Sequence, residues 1–162
     1  MLKFYGFDVI YTRTVDDSVD TNANSNISAR KKNDLNNRLK LINNNENAIF
    51  ISIHLNKFTS GSANGAQVFY SPNNSKSEIL AQCLQSEIKD LLQNNNGRKI
   101  KKSDKSIYLL HNALSPAVIV ECGFLSNSNE LKLLKDEEYQ HKMAFCIFSG
   151  ILKYFLNSEE KQ

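Results

Sequence analysis

The sequence is short of the residues that staple or cluster small proteins. Its cysteines, Cys83, Cys122 and Cys146, number three and form no C-x-x-C pair, which excludes both a disulfide framework and a cysteine zinc site. Each lies in an apolar context and reads as a small buried hydrophobe. No apolar run approaches the roughly eighteen residues of a membrane span. The opening MLKFYGFDVIYTR lacks the basic, apolar and small-residue order of an export signal. Charge of one sign is scarce too: 20 Lys and Arg against 17 Asp and Glu leave +3, so nucleic acid is not an expected partner. The local cluster GRKIKKSDK at 97–105 reads as a solvated turn, with an anionic substrate as the alternative. What is present is enough apolar material, 41% of 162 residues, for one domain with its own core.

Periodicity divides that material into alternating strands and helices. MLKFYG reads as the last turn of a helix closed by Gly6 in the left-handed position, with the expectation that earlier chain has been lost. FDVIYTR follows as a β-branched and aromatic strand. Residues 14–29 are a long polar loop. Leu35, Leu39 and Ile42 then share one face of a helix that an asparagine run ends. AIFISIHL and GAQVFYS read as strands, and SKSEILAQCLQSEIKDLLQ as a helix with Ile79, Cys83, Leu84, Ile88, Leu91 and Leu92 on its apolar face. SIYLLHN reads as a short strand, and PAVIVECGF as one buried on both faces. A short helix from about Ser128, capped by Asn127, and a longer one from Asp136 to about Phe155 close the domain. This predicts an α/β domain over 1–157 with a polar tail at 158–162. Its sheet is expected to be twisted and mostly parallel, built from about 7–13, 48–55, 65–71 and 116–122, with helices on both faces.

Two of the strands end on titratable groups. In an open α/β sheet, ligands bind beyond the carboxyl ends of the strands, and His54 and Glu121 both stand at such ends. Alone, His54 is an ordinary hydrogen-bonded histidine and Glu121 a solvated strand end or an ion pair. Together they suit a hydrolytic centre: a neutral imidazole is a zinc ligand, and a nearby glutamate can take a proton from water. The prediction is that both face one cleft about 4–8 Å apart. His111, before Pro116, and His141, on a charged helix face, read as surface histidines.

FISIHLN, GAQVFY and SPAVIVECGFLSN, with VIYTR before them and LLKDEEYQHKMAFCIFSGILKYF after them, resemble in order and over nearly the whole chain the zinc-dependent N-acetylmuramoyl-L-alanine amidases of type 3. The polar loop and ARKKNDLNNRLKLIN are most similar to the sporulation members of that family. The resemblance implies a peptidoglycan hydrolase of the cell envelope or extracellular space that cleaves the amide between N-acetylmuramic acid and L-alanine, with a role in spore cortex maturation. It makes His54 a zinc ligand, Glu121 the catalytic carboxylate and Asn56 a substrate-side orienting residue. Arg13 and Arg38 match arginines read here as ion pairs holding loops, and Ser126 and Asn127 match a turn after the catalytic strand. Family members open with a strand leading to a histidine-glycine turn and a glutamate, which supply two more zinc ligands. The sequence opens after that pattern, so the first strand, the start of the first helix and both ligands are expected upstream of Met1. The alternative is a catalytically dead remnant that binds peptidoglycan without metal.

Overall fold

The structure is a computed structural model that describes residues 1–12, 14, 27–45 and 47–159. A 3₁₀ turn, Leu2–Tyr5, closes on Gly6 at φ 83°, a left-handed conformation that glycine adopts without steric cost. The helices are α1 (Ile27–Asn43), α2 (Lys76–Leu91), α3 (Tyr108–Asn112), α4 (Ser128–Lys135) and α5 (Glu137–Glu159), and the strands β1 (Phe50–Asn56), β2 (Gln67–Tyr70), β3 (Lys101–Lys102) and β4 (Ala117–Phe124). Among the described residues the strands form one sheet in the order β1-β4-β2-β3. β1 runs parallel to β4 and β2 parallel to β3, while β2 is antiparallel to β4.

β4 lies at the centre because its sequence is apolar on both faces, and every residue from Ala117 to Val120 is buried. One face carries Val68, Val118, Val120 and Cys122 against α2 and α5, where Leu80, Leu84, Ile88, Cys146, Ile147 and Ile151 complete the larger core. Gln85 is buried in α2, yet it is satisfied: its Oε1 accepts from Val68 N at 2.9 Å and its Nε2 donates to the Ala66 carbonyl at 3.1 Å. The opposite face carries Ala117, Ile119, Phe50 and Phe69 against Leu35, Leu39 and Ile42 of α1 and Leu109 and Leu110 of α3.

Several local expectations are corrected. Residues 7–12 form no strand, and Arg13 lies outside the described residues. Phe7 instead packs as a side chain on α5, its ring 5.2 Å from that of Phe155. SIYLLHN contains a helix, not a strand, because Leu109 and Leu110 turn inward against α1 from a single turn. α1 begins at Ile27, inside the expected loop, most of which is outside the described residues. On α2, Ile79 and Leu91 are exposed, and Ser77 and Gln85 take buried positions. Strand β3 arises within the basic segment read as a turn. α5 runs to Glu159, so the expected polar tail is helical at its start, and residues 160–162 lie outside the described residues.

Candidate active site

Register decides what meets at the end of the sheet. β1 pairs His54 with Glu121 on β4, and β4 pairs Glu121 with Gln67 on β2. Adjacent strands lie about 4.8 Å apart and paired residues point to the same face, so His54, Glu121 and Gln67 form one row. That row follows Ser52, Ile119 and Phe69 on the face of α1 and α3, whose apolar cluster ends at Ile119. The register sets His54 and Glu121 side by side on one face of the sheet.

The two groups differ in environment. His54 is exposed on an outer strand, and its Nε2 lies 2.8 Å from Ser52 Oγ, two residues back on the same face. Glu121 is half-buried on the central strand, and its Oε2 is buried with no hydrogen-bond partner among the described residues. Burial pushes the Glu121 carboxyl above its ordinary value, and the His54 ring pulls it partly back. An ionised oxygen left in this state is costly, so the position favours a carboxyl that exchanges a proton over one that serves as a static anchor.

The strand ends around this pair are fixed by polar clamps. A register shift lets Asn56 pair with Phe124, and the Asn56 carbonyl accepts from Leu125 N at 2.7 Å. Asn56 thus stands two residues beyond His54 on the same side of the strand. Glu130 of α4 ties two segments together: its Oε1 accepts from Gly65 N at 2.8 Å and its Oε2 from Phe124 N at 2.7 Å. Asn127 caps α4 as expected, its Oδ1 accepting from Asn129 N and Glu130 N, and its Nδ2 donates to the Ala63 carbonyl. Ser126 Oγ accepts from Phe58 N at 3.1 Å. Arg38 pairs with Asp34 one turn earlier at 2.8 Å, an ion pair within α1 and not the loop-holding one expected.

The remaining histidines are elsewhere. His111 is in α3, whose Leu110 carbonyl accepts from Ser71 at the far end of β2. His141 is on the exposed side of α5 beside Leu91 and Lys142. Among the described residues, no three His, Cys, Asp or Glu side chains converge as a metal site. Zinc in a catalytic site takes three protein ligands and water, so His54 with Glu121 does not by itself fit the ion. Gln67 and Glu130 were not legible as site residues. GAQVFY reads as a strand whichever residue faces the row, and only pairing with Glu121 selects Gln67.

Known proteins match this arrangement along almost all of the chain. The family model of N-acetylmuramoyl-L-alanine amidase matches residues 1–153. The germination-specific N-acetylmuramoyl-L-alanine amidase of Bacillus subtilis is 41% identical over 154 residues, 95% of this chain. The chain spans 64% of that relative's length. The CwlD amidase of Clostridioides difficile, solved in complex with the GerS lipoprotein, superposes with a TM-score of 0.89 at 41% identity, covering 95% of this chain and 78% of that one. An N-acetylmuramoyl-L-alanine amidase of Clostridium difficile 630 superposes with a TM-score of 0.68 at 32% identity, covering 75% and 64%. With sequence and fold agreeing over that span, the chain belongs to the N-acetylmuramoyl-L-alanine amidase family.

Proposed function

We propose that the protein hydrolyses the amide between N-acetylmuramic acid and L-alanine in peptidoglycan, acting at the cell envelope or outside the cell, with spore cortex as its substrate. The observation that carries this reading is the buried, unpartnered oxygen of Glu121 beside His54. Glu121 accepts a proton as water adds to the lactyl carbonyl, and returns it to the nitrogen as the carbon–nitrogen bond breaks. The products are the lactyl carboxylate and the free amine of L-alanine. Asn56, two residues beyond His54, orients the substrate at the rim.

His54 is the one zinc ligand that the described residues offer, and a catalytic zinc takes three protein ligands. Among the described residues β1 is an outer strand of the sheet, and its Ile53 is 62% and its Leu55 48% exposed. A binding-only module is the weaker reading, because it gives the buried Glu121 oxygen nothing to do.

The test is release of stem peptides with free L-alanine amino groups from purified peptidoglycan by the chain fused to a segment supplying the family's other two zinc ligands, with bound zinc assayed alongside. Glu121→Gln is expected to lose release and keep the metal. Retained release would refute the proton-transfer role, and lost zinc would make Glu121 a ligand. The 162-residue chain alone is expected to hold zinc weakly, because one imidazole neither retains the ion nor organises its water. Tight stoichiometric zinc in that chain would overturn the ligand assignment.

A further inference from the structure

Beside Glu121, on the β2 side, the structure holds a cation in a fixed pose. The guanidinium of Arg98 lies 4.5 Å above the ring of Phe124, and that ring is 4% exposed. Arg98 Nε donates to the Asn64 carbonyl at 2.6 Å and its Nη1 to Gln67 Oε1 at 2.9 Å. Gln67 is in turn held by its Nε2, which donates to the Lys99 carbonyl at 2.8 Å. Gln67 is the cross-strand neighbour of Glu121, and Phe124 lies three residues beyond Glu121 on β4, so one guanidinium touches both flanks of the carboxylate's position.

Arg98 nevertheless has no acidic partner among the described residues. Its partners are the Asn64 carbonyl, Gln67 Oε1 and the Phe124 ring, and among the described residues no ion pair joins it to Glu121. With Nε and Nη1 engaged and one face stacked, Nη2 remains for a ligand. A planar guanidinium so immobilised loses little entropy on meeting a carboxylate. Two residues further along β2, Phe69 carries Lys101 of β3 5.6 Å over its ring, which adds positive charge on the same face.

We infer that Arg98 is a substrate-recognition residue: it binds a free carboxylate on the stem peptide, carried by the residue that follows L-alanine. An extended peptide advances about 3.4 Å per residue, so that carboxylate lies about 7 Å from the cleaved amide, on the scale of one strand spacing of about 4.8 Å from Glu121 to Gln67 followed by the 2.9 Å hydrogen bond from Gln67 to Arg98. The inference rests on the amidase reading and adds a preference for acidic over amidated stems.

The experiment is an NMR titration of the 162-residue chain with N-acetylmuramoyl-L-alanyl-D-glutamate and with the same compound amidated at both carboxyls. The wild-type chain is expected to bind the diacid about tenfold more tightly, as befits hydrogen bonds to a charged group. Arg98→Gln is expected to bind both compounds as wild type binds the diamide, which also shows that the variant is folded. Should Arg98→Gln not fold, Arg98→Lys decides, because it keeps the charge but loses the fork; its preference is expected to fall to about twofold. An undiminished preference in the folded variant overturns the inference. Equal binding of the two compounds by wild type, or binding of neither, does so as well. Hydrolysis of the diacid by the chain fused to the two further family ligands is scored separately: no cleavage with the preference intact removes the amidase reading and keeps the carboxylate subsite.

Discussion

The two faces of the sheet hold different things. Against α2 and α5, Val68, Val118 and Val120 are fully buried, and the helices approach so closely that Gly150 lies against the backbone of Leu84. Against α1 and α3, the apolar cluster is smaller and gives way after Ile119 to His54, Glu121 and Gln67. Val120 and Glu121 are neighbours in the chain and belong to opposite sides of this division. The strand's two-residue alternation makes that possible: one residue completes a closed core, and the next joins the row of His54 and Gln67. Most of the stability is expected on the closed face and the chemistry on the open one.

The largest expected effect tests the open face. Glu121→Gln should lower stem-peptide release by the chain fused to the two further family ligands by about 10²- to 10⁴-fold. It should leave the melting temperature equal or higher, since an unpartnered buried charge is removed. A clear fall in melting temperature would make Glu121 a structural residue and dissolve the division. On the closed face, a Cβ at position 150 would lie 2.7 Å from Leu84 Cα, which is backbone and cannot swing aside. Gly150→Ala should therefore destabilise by about 1–3 kcal/mol in urea unfolding, with no change in binding of peptidoglycan fragments. Val120→Ala should cost about 2 kcal/mol through the lost methyls and the cavity left behind. Ile53→Ala, at a position 62% exposed on β1, should stay within about 0.5 kcal/mol. Equal losses at positions 120 and 53 would show that β1 is covered in solution.

The smallest effect concerns the clasp between α2 and α5. Lys153 Nζ donates to Glu87 Oε1 at 2.7 Å, and Ser149 Oγ donates to Glu87 Oε2 at 2.8 Å. The Lys153 hydrogen bond is the main reason the Glu87 carboxyl sits below its ordinary value; burial opposes it and Ser149 assists. A depressed carboxyl stabilises the fold above its unfolded value and loses that contribution as pH falls through the folded one. Because Lys153 is 45% exposed, the contribution should be only about 0.5 kcal/mol. Thermal unfolding of Glu87→Gln should show that deficit at about pH 7 and a progressively smaller one as the pH is taken below the ordinary glutamate value. A deficit that persists in acid would assign it to packing.

The parts of the fold that were legible are those fixed by neighbours in the chain. AVIVECGF is apolar at nearly every position and became the central strand. Leu35, Leu39 and Ile42 recur at helical spacing and became the inner face of α1. Asn127 precedes a helix and caps it. The misreadings occurred where a short apolar run satisfies two periods: LL in SIYLLHN suits a strand or one helical turn, and only α1 packing against it selects the turn. FDVIYT is strand-like by composition, but residues 7–12 make no ladder, and Phe7 docks on α5 instead.

By itself the sequence determined that two apolar segments each end on a titratable residue, that the cysteines are buried and unpaired, and which family the motifs belong to. Those properties depend on residue type and spacing, which are local. The tertiary structure alone decided that β4 is central and β1 outer, that register sets His54, Glu121 and Gln67 in one row, and that Arg98 reaches this row from 31 residues beyond Gln67. It also decided that Glu121 has a buried oxygen without a partner while His54 remains exposed. Strand order and register arise from contacts between residues far apart in the chain, and a one-residue slip would turn every side chain to the other face.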